Sequence, residues 1–175
     1  MKPTQNFLAI VASCAVIFTS CGSGGNNKDA KALDTLPEEQ RHLAANALKG
    51  LEVAEGLQVQ LMAAEPTLRN PTNIDVDDRG RIWVTEAFNY RPGQGSTTIP
   101  EGDRIMILED NDGDGVAEVS KVYYQGPEIN APLGICVIGK RVIVSQSPYV
   151  WAFYDDDGDD KADRKEIIFQ GIRGI

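Results

Sequence analysis

Leu108–Val119 reads LEDNDGDGVAEV, and Tyr154–Lys165 reads YDDDGDDKADRK. In the first stretch Asp110, Asp112 and Asp114 alternate with other residues, and Glu118 follows four positions after the last. In the second, Asp155, Asp157 and Asp159 keep the alternation, and Asp163 takes the place of Glu118 at an offset of 45 residues. The same offset carries Tyr124-Gln125-Gly126 onto Phe169-Gln170-Gly171. A chain that repeats a loop together with the segment leaving it is repeating a structural unit.

The flanks of each loop read as strands. NIDVDDRGRIWVTEA (73–87) alternates apolar and polar residues around an Asp-Arg-Gly turn, and DRIMILED (103–110) leads into the first loop. EVSKVYYQG (118–126) leads out. The pattern then restarts with the hairpin GICVIGKRVIVSQ (134–146), the strand YVWAFYD (149–155), the second loop and RKEIIFQG (164–171). Ile74 corresponds to Ile135 at a larger offset, because FNYRPGQGSTTIPEG (88–102) is inserted in the first unit. Upstream, EVAEGLQVQLMA (52–63) reads as one or two further strands broken at Glu55-Gly56. The fold class expected is all-β: about two four-stranded antiparallel blades of a partial β-propeller. A β-sandwich with similar hairpins is the alternative. Two blades cannot close a ring, and GIRGI (171–175) lies where a third would begin, so the expectation is the front part of a longer protein.

The acidic loops have the spacing of calcium ligands. Calcium takes six to eight oxygens, and alternate residues of a tight loop can converge on it. In the first loop the donors are Asp110, Asp112, Asp114, the Val116 carbonyl and Glu118, with Gly115 at the sharp turn. An EF-hand would end on a glutamate where Lys121 stands, so the loop closes a hairpin and not a helix pair. In the second the donors are Asp155, Asp157, Asp159, the Lys161 carbonyl and Asp163, with Asp160 replacing the glycine. The competing reading is a solvated Asp-Gly turn. Both loops join third to fourth strands, far from a propeller axis, so the ions expected there are structural. Function belongs to the opposite face, where the insert offers Glu86, Asn89, Tyr90 and Arg91 as candidate substrate-face residues. Packing of the insert over the next blade is the bland alternative.

Residues 1–20 have the shape of a secretory signal, with Lys2 ahead of an apolar run from Phe7 to Phe18. FTSC resembles a lipobox, which makes Cys21 the expected lipidation site and 21–33 a flexible tether. A buried N-terminal helix is the competing reading. The expected location is a bacterial cell envelope, lipid-anchored on the periplasmic side or at the outer membrane. Residues 34–50 read as a short helix with a Thr35/Glu38 capping box and a stripe of Leu43, Ala44, Ala47 and Leu48. His42, the only histidine, has no partner at ligand spacing, and Cys136 reads as a small core residue. The net charge of -9 over 175 residues argues against nucleic acid as a partner.

GLQVQLMAAEPTLRNPTNIDVDDRGRIWVTEAFNYRP (56–92), the two D-x-D-G-D loops and NAPLGICV (130–137) resemble a bacterial family of membrane-bound dehydrogenases. These are secreted β-propellers related to the glucose/sorbosone dehydrogenases, often with a CxxCH haem domain further along the chain. The resemblance implies a six-bladed propeller, a sugar or alcohol substrate, and a quinone cofactor or haem in the full-length protein. The chain contains no CxxCH, and no nucleophile, base and orienting group can be assembled from its residues. Two functions therefore stand: the N-terminal part of an envelope-anchored oxidoreductase, inactive as a fragment, or a non-enzymatic propeller displaying a surface for glycans or proteins.

Overall fold

The computed structural model describes residues 33–51, 53–90 and 98–171. The signal segment, Cys21, the tether up to residue 32 and Arg91 lie outside them. Two four-stranded antiparallel sheets follow one another along the chain. The first is ordered β1 (Pro71–Val76), β2 (Ile82–Glu86), β3 (Arg104–Glu109), β4 (Val119–Gln125). The second is ordered β5 (Gly134–Ile138), β6 (Arg141–Gln146), β7 (Tyr149–Tyr154), β8 (Arg164–Gln170). This is the all-β, partial propeller-like arrangement that the repeat predicts.

The repeat extends to irregularities of the backbone. The β3–β4 ladder slips between Ile105 and Met106, leaving Tyr123 as the extra residue of a bulge. The β7–β8 ladder slips between Val150 and Trp151, at the same offset of 45, leaving Ile168.

Alternation along the strands gives each sheet two faces. Trp83 and Ile107 are cross-strand partners, and with Ile105 and Tyr123 they face the second sheet. That sheet answers with Val144 opposite Trp151 and Val142 opposite Phe153. The main core is thus the layer between blades, including an edge-on Trp83–Tyr123 pair with centroids 4.7 Å apart. The other face of the first sheet carries Val84, Met106 and Leu108, covered by Met62, Ala63 and Leu68. The first strands touch: the Val137 amide donates to Asp75 Oδ2 at 2.7 Å, and Thr72 Oγ1 to the Pro132 carbonyl at 2.7 Å.

The segment before β1 differs from its expected form. None of residues 53–70 is in a strand, and Leu57 is 71% exposed. Its period of two is real, but the segment lies on the face of the first sheet and has no ladder partner. Its end is tied to β2 and β3 through Thr67, Arg69 and Asn70, and its middle by the Ala117 amide, which donates to the Met62 carbonyl at 2.9 Å. Forty-five residues on, the Ala162 amide makes the equivalent bond, at 3.0 Å, to the carbonyl of Tyr123 in the preceding blade. Met62 therefore occupies, for the first blade, the place Tyr123 occupies for the second.

The expected helix over 34–50 is also shorter. Helix α1 spans Glu38–Arg41, and a single 3₁₀ turn follows at Ala44–Asn46 after Leu43 turns extended. Pro37 is the N-cap of α1, with no side-chain capping bond. Leu43 and Leu48 remain exposed, so the apolar stripe is left unburied among the described residues, and short helices without a packed face do not propagate. Cys136 is likewise exposed, not core. It alternates on β5 with Ile135 and Val137, which take the places against the inter-blade layer.

Candidate functional site

Both acidic loops lie at the end of the sheets where β1 turns into β2. In the first, Asp110 folds back on its own loop, accepting from the Gly113 amide at 2.7 Å and the Gly115 amide at 2.8 Å. Asp112 accepts from the Asp114 amide, Asp114 from the Val116 amide, and Glu118 from the Asn111 amide at 2.6 Å. The second loop repeats the set at the same offset. Asp155 takes the Gly158 and Asp160 amides, Asp157 the Asp159 amide, Asp159 the Lys161 amide and Asp163 the Asp156 amide.

These bonds turn the carboxylates toward one another. Oxygens of Asp110, Asp112, Asp114 and Glu118 lie within 4.8 Å of one another. So do those of Asp155, Asp157 and Asp159; Asp163 is not in that group. The carbonyls of Val116 and Lys161 sit in the same turns. Crowded carboxylates repel unless a counter-charge enters, and an all-oxygen donor set suits a hard cation such as calcium. The residues present therefore fit the ion.

One residue of the second loop has another role. Asp160 stands in left-handed backbone, φ 65°, where the first loop has Gly115 at φ 85°. Its carboxylate crosses to the first blade: Oδ1 meets Arg81 Nη1 at 2.6 Å and Arg79 Nη2 at 3.3 Å, and Oδ2 meets Lys121 Nζ at 2.7 Å. Arg81 also binds Asp77 Oδ2 at 2.7 Å and Glu109 Oε1 at 3.3 Å, and Lys121 binds Glu109 at 2.9 Å. Burial alone would raise the Asp160 carboxyl, but hydrogen bonds from Lys121 and Arg81 outweigh it and hold it down at about 2. Lys121 holds Glu109 down in the same way, and Asp160 and Glu109 raise Lys121. This network is invisible to a ligand-spacing argument; the aspartate in a glycine slot was its one trace in the sequence.

On the opposite face the insert is tied in by buried polar residues. Glu86, 2% exposed, is gripped by Arg104 (Nε–Oε2 2.6 Å, Nη2–Oε1 2.7 Å) and accepts from the Arg69 amide at 2.7 Å. Asn89 exchanges two bonds with the Ile99 backbone and donates to Asn130 Oδ1 at 2.7 Å. Asp103, 1% exposed, binds the Asn89 amide at 3.0 Å and the Ala131 amide at 2.6 Å, joining insert, β3 and the inter-blade link. Glu86 and Asn89 thus act as joints. Among the described residues of the expected set, Tyr90 is the exposed one, at 47%.

Known structures resemble the chain in outline. The PQQ domain of pyranose dehydrogenase from Coprinopsis cinerea, in its holo form, is 24% identical with a TM-score of 0.46, over 62% of this chain and 23% of that one. An iodide structure of a Trichoderma reesei carbohydrate-active enzyme of family AA12 is 18% identical with a TM-score of 0.49, over 68% of this chain and 27% of that one. A calcium structure of the same family from Trichoderma reesei is 18% identical with a TM-score of 0.44, over 61% and 24%. The chain spans about a quarter of the length of these structures. No curated protein matches it. Residues 44–174, both blades and the segment in front of them, match the model of DUF7133, a domain of unknown function, and the chain belongs to that family.

Proposed function

We propose that this chain supplies the leading blades of an exported, calcium-stapled propeller that oxidises sugars or related alcohols. The observation that carries the calcium half is the convergence of carboxylates in two loops whose internal bonds repeat at one offset. Calcium bound there neutralises the crowded oxygens and pins the outer hairpins, so it supports stability and takes no part in the reaction. The redox half is supported by the sequence likeness to membrane-bound dehydrogenases. On this reading Cys21 carries the lipid anchor, the protein sits in the bacterial envelope, and the quinone cofactor or haem is held in the full-length protein outside these two blades.

A second reading is favoured by the internal bonds of Glu86 and Asn89, which leave Tyr90 as the exposed candidate among the described residues. In it the propeller displays a glycan- or protein-binding surface and catalyses nothing.

Calcium titration of the chain by calorimetry tests the first half. Two ions per chain are expected, with one lost in D110N/D112N and the other in D155N/D157N. No heat up to millimolar calcium would sink the staple. Dye reduction by the full-length protein, loaded with quinone and offered aldoses and alcohols, separates the two readings. Turnover supports the oxidoreductase; glycan capture without turnover supports the display surface.

A further inference from the structure

The second acidic loop is one carboxylate short of the first. Glu118 belongs to the converging group of the first loop while its Oε2 also accepts from the Asn111 amide. Asp163, in the corresponding place, has a side chain one methylene shorter. Its Oδ2 is held by the Asp156 amide at 2.7 Å and the Asp157 amide at 3.3 Å, and it does not reach the group. An ion in the second loop thus has a thinner protein shell.

A second, independent observation comes from across the blade junction. Tyr123, the bulge residue of β4, is 2% exposed, and its hydroxyl is buried with no hydrogen-bond partner. Orphaned buried hydroxyls are rare, because burial strips their water without replacing it. Tyr123 lines the same cleft of about 320 Å³ as Asp155 and Gly158 of the second loop. Its carbonyl holds the Ala162 amide, which ties the loop to the backbone of the same residue. Burial, and then the charges of Asp155, Asp163 and Asp156, raise its pKa, so the hydroxyl stays a donor at neutral pH.

We propose that the second loop is an inter-blade calcium site, in which Tyr123 of the first blade donates to a water carried by the ion. The inference rests on the calcium reading of the loops. It explains both anomalies at once: the missing donor of the loop and the missing partner of the phenol. The first loop has no counterpart. Met62 stands in the equivalent place and offers the same carbonyl clip, but no hydroxyl. Calcium at the first loop is therefore held within one hairpin, and calcium at the second couples two blades.

The test uses calcium calorimetry and thermal melting of the full chain. D110N/D112N isolates the second loop, and adding Y123F to it should weaken the remaining site about five- to tenfold, the worth of one hydrogen bond in a partly buried setting. Y123F alone should leave the first site unchanged. In EDTA, Y123F should melt at or above the parent, since the orphan is gone; in saturating calcium the order should reverse. A remaining site indifferent to Y123F overturns the inference and leaves the calcium reading intact; binding confined to the first loop overturns the inference and keeps the calcium reading for that loop alone. No binding to any variant overturns both. Y123F that melts below the parent already in EDTA shows that the hydroxyl has an internal partner, and also overturns the inference.

Discussion

Asp160 shows how one side chain can trade local comfort for a distant contact. Left-handed backbone is disfavoured for most residues, though aspartate reaches it more readily than bulky ones. In exchange its carboxylate meets Arg81 and Lys121 of the neighbouring blade. The carboxyl is held at about 2 in the folded chain, against an ordinary value of 3.8. A lowered folded pKa means that the ion pairs stabilise fully above the unfolded value and are lost as pH falls through the folded one. Asp160→Asn should therefore cost about 1–3 kcal/mol at neutral pH. In urea unfolding followed over a pH series, that difference should fade between about pH 4 and pH 2. An undiminished difference at pH 2 would remove Asp160 from the acid response. The sequence displayed the odd aspartate, but its partners lie 79 and 39 residues away, and nothing local names them. Cys136 failed for a related reason: its apolar neighbours said strand, but not which of two faces the thiol would take.

Hairpins were the most legible elements. Each of the eight strands among the described residues carries β-branched or aromatic residues between turn signals, and the 45-residue repeat checks one copy against the other. The segment before β1 and the helix over 34–50 depart from expectation, because period and caps describe an element's readiness and not its partner. Leu57 and Val59 alternate correctly, and Leu43 and Leu48 form a stripe, yet among the described residues all four stay exposed. The insert between β2 and β3 depends on a contact that sequence alone cannot locate. Gly102, at φ 88°, passes so close to the inter-blade link that an added Cβ would lie 1.9 Å from the Gly126 carbonyl oxygen. Gly102→Ala must move backbone on one side or the other and should destabilise by more than about 2 kcal/mol. Guanidinium denaturation reads this directly, and a wild-type midpoint would mean that the insert yields freely.

For the molecule as a whole, the inter-blade layer and the ion-pair network act on the same junction from core and rim. Calcium, on the reading proposed above, adds a third tie. A ligand that binds only the folded state stabilises it by about 2.7 kcal/mol at a hundredfold excess over its dissociation constant. Melting in calcium against EDTA should therefore show a rise of several degrees that grows with calcium concentration. Magnesium, which demands tighter octahedral geometry, should give a smaller one. Equal curves in calcium and EDTA would leave the junction to core and network alone.

The paired clips of Ala117 on Met62 and Ala162 on Tyr123 give the architecture a direction. Each acidic loop makes this clip to chain that lies before it. A polypeptide leaving the ribosome amino end first would then always find the landing place of the next unit already made, with residues 53–70 as the seed. Assembly would proceed like laying tiles from a fixed edge, and a defect in that first edge should disturb both blades.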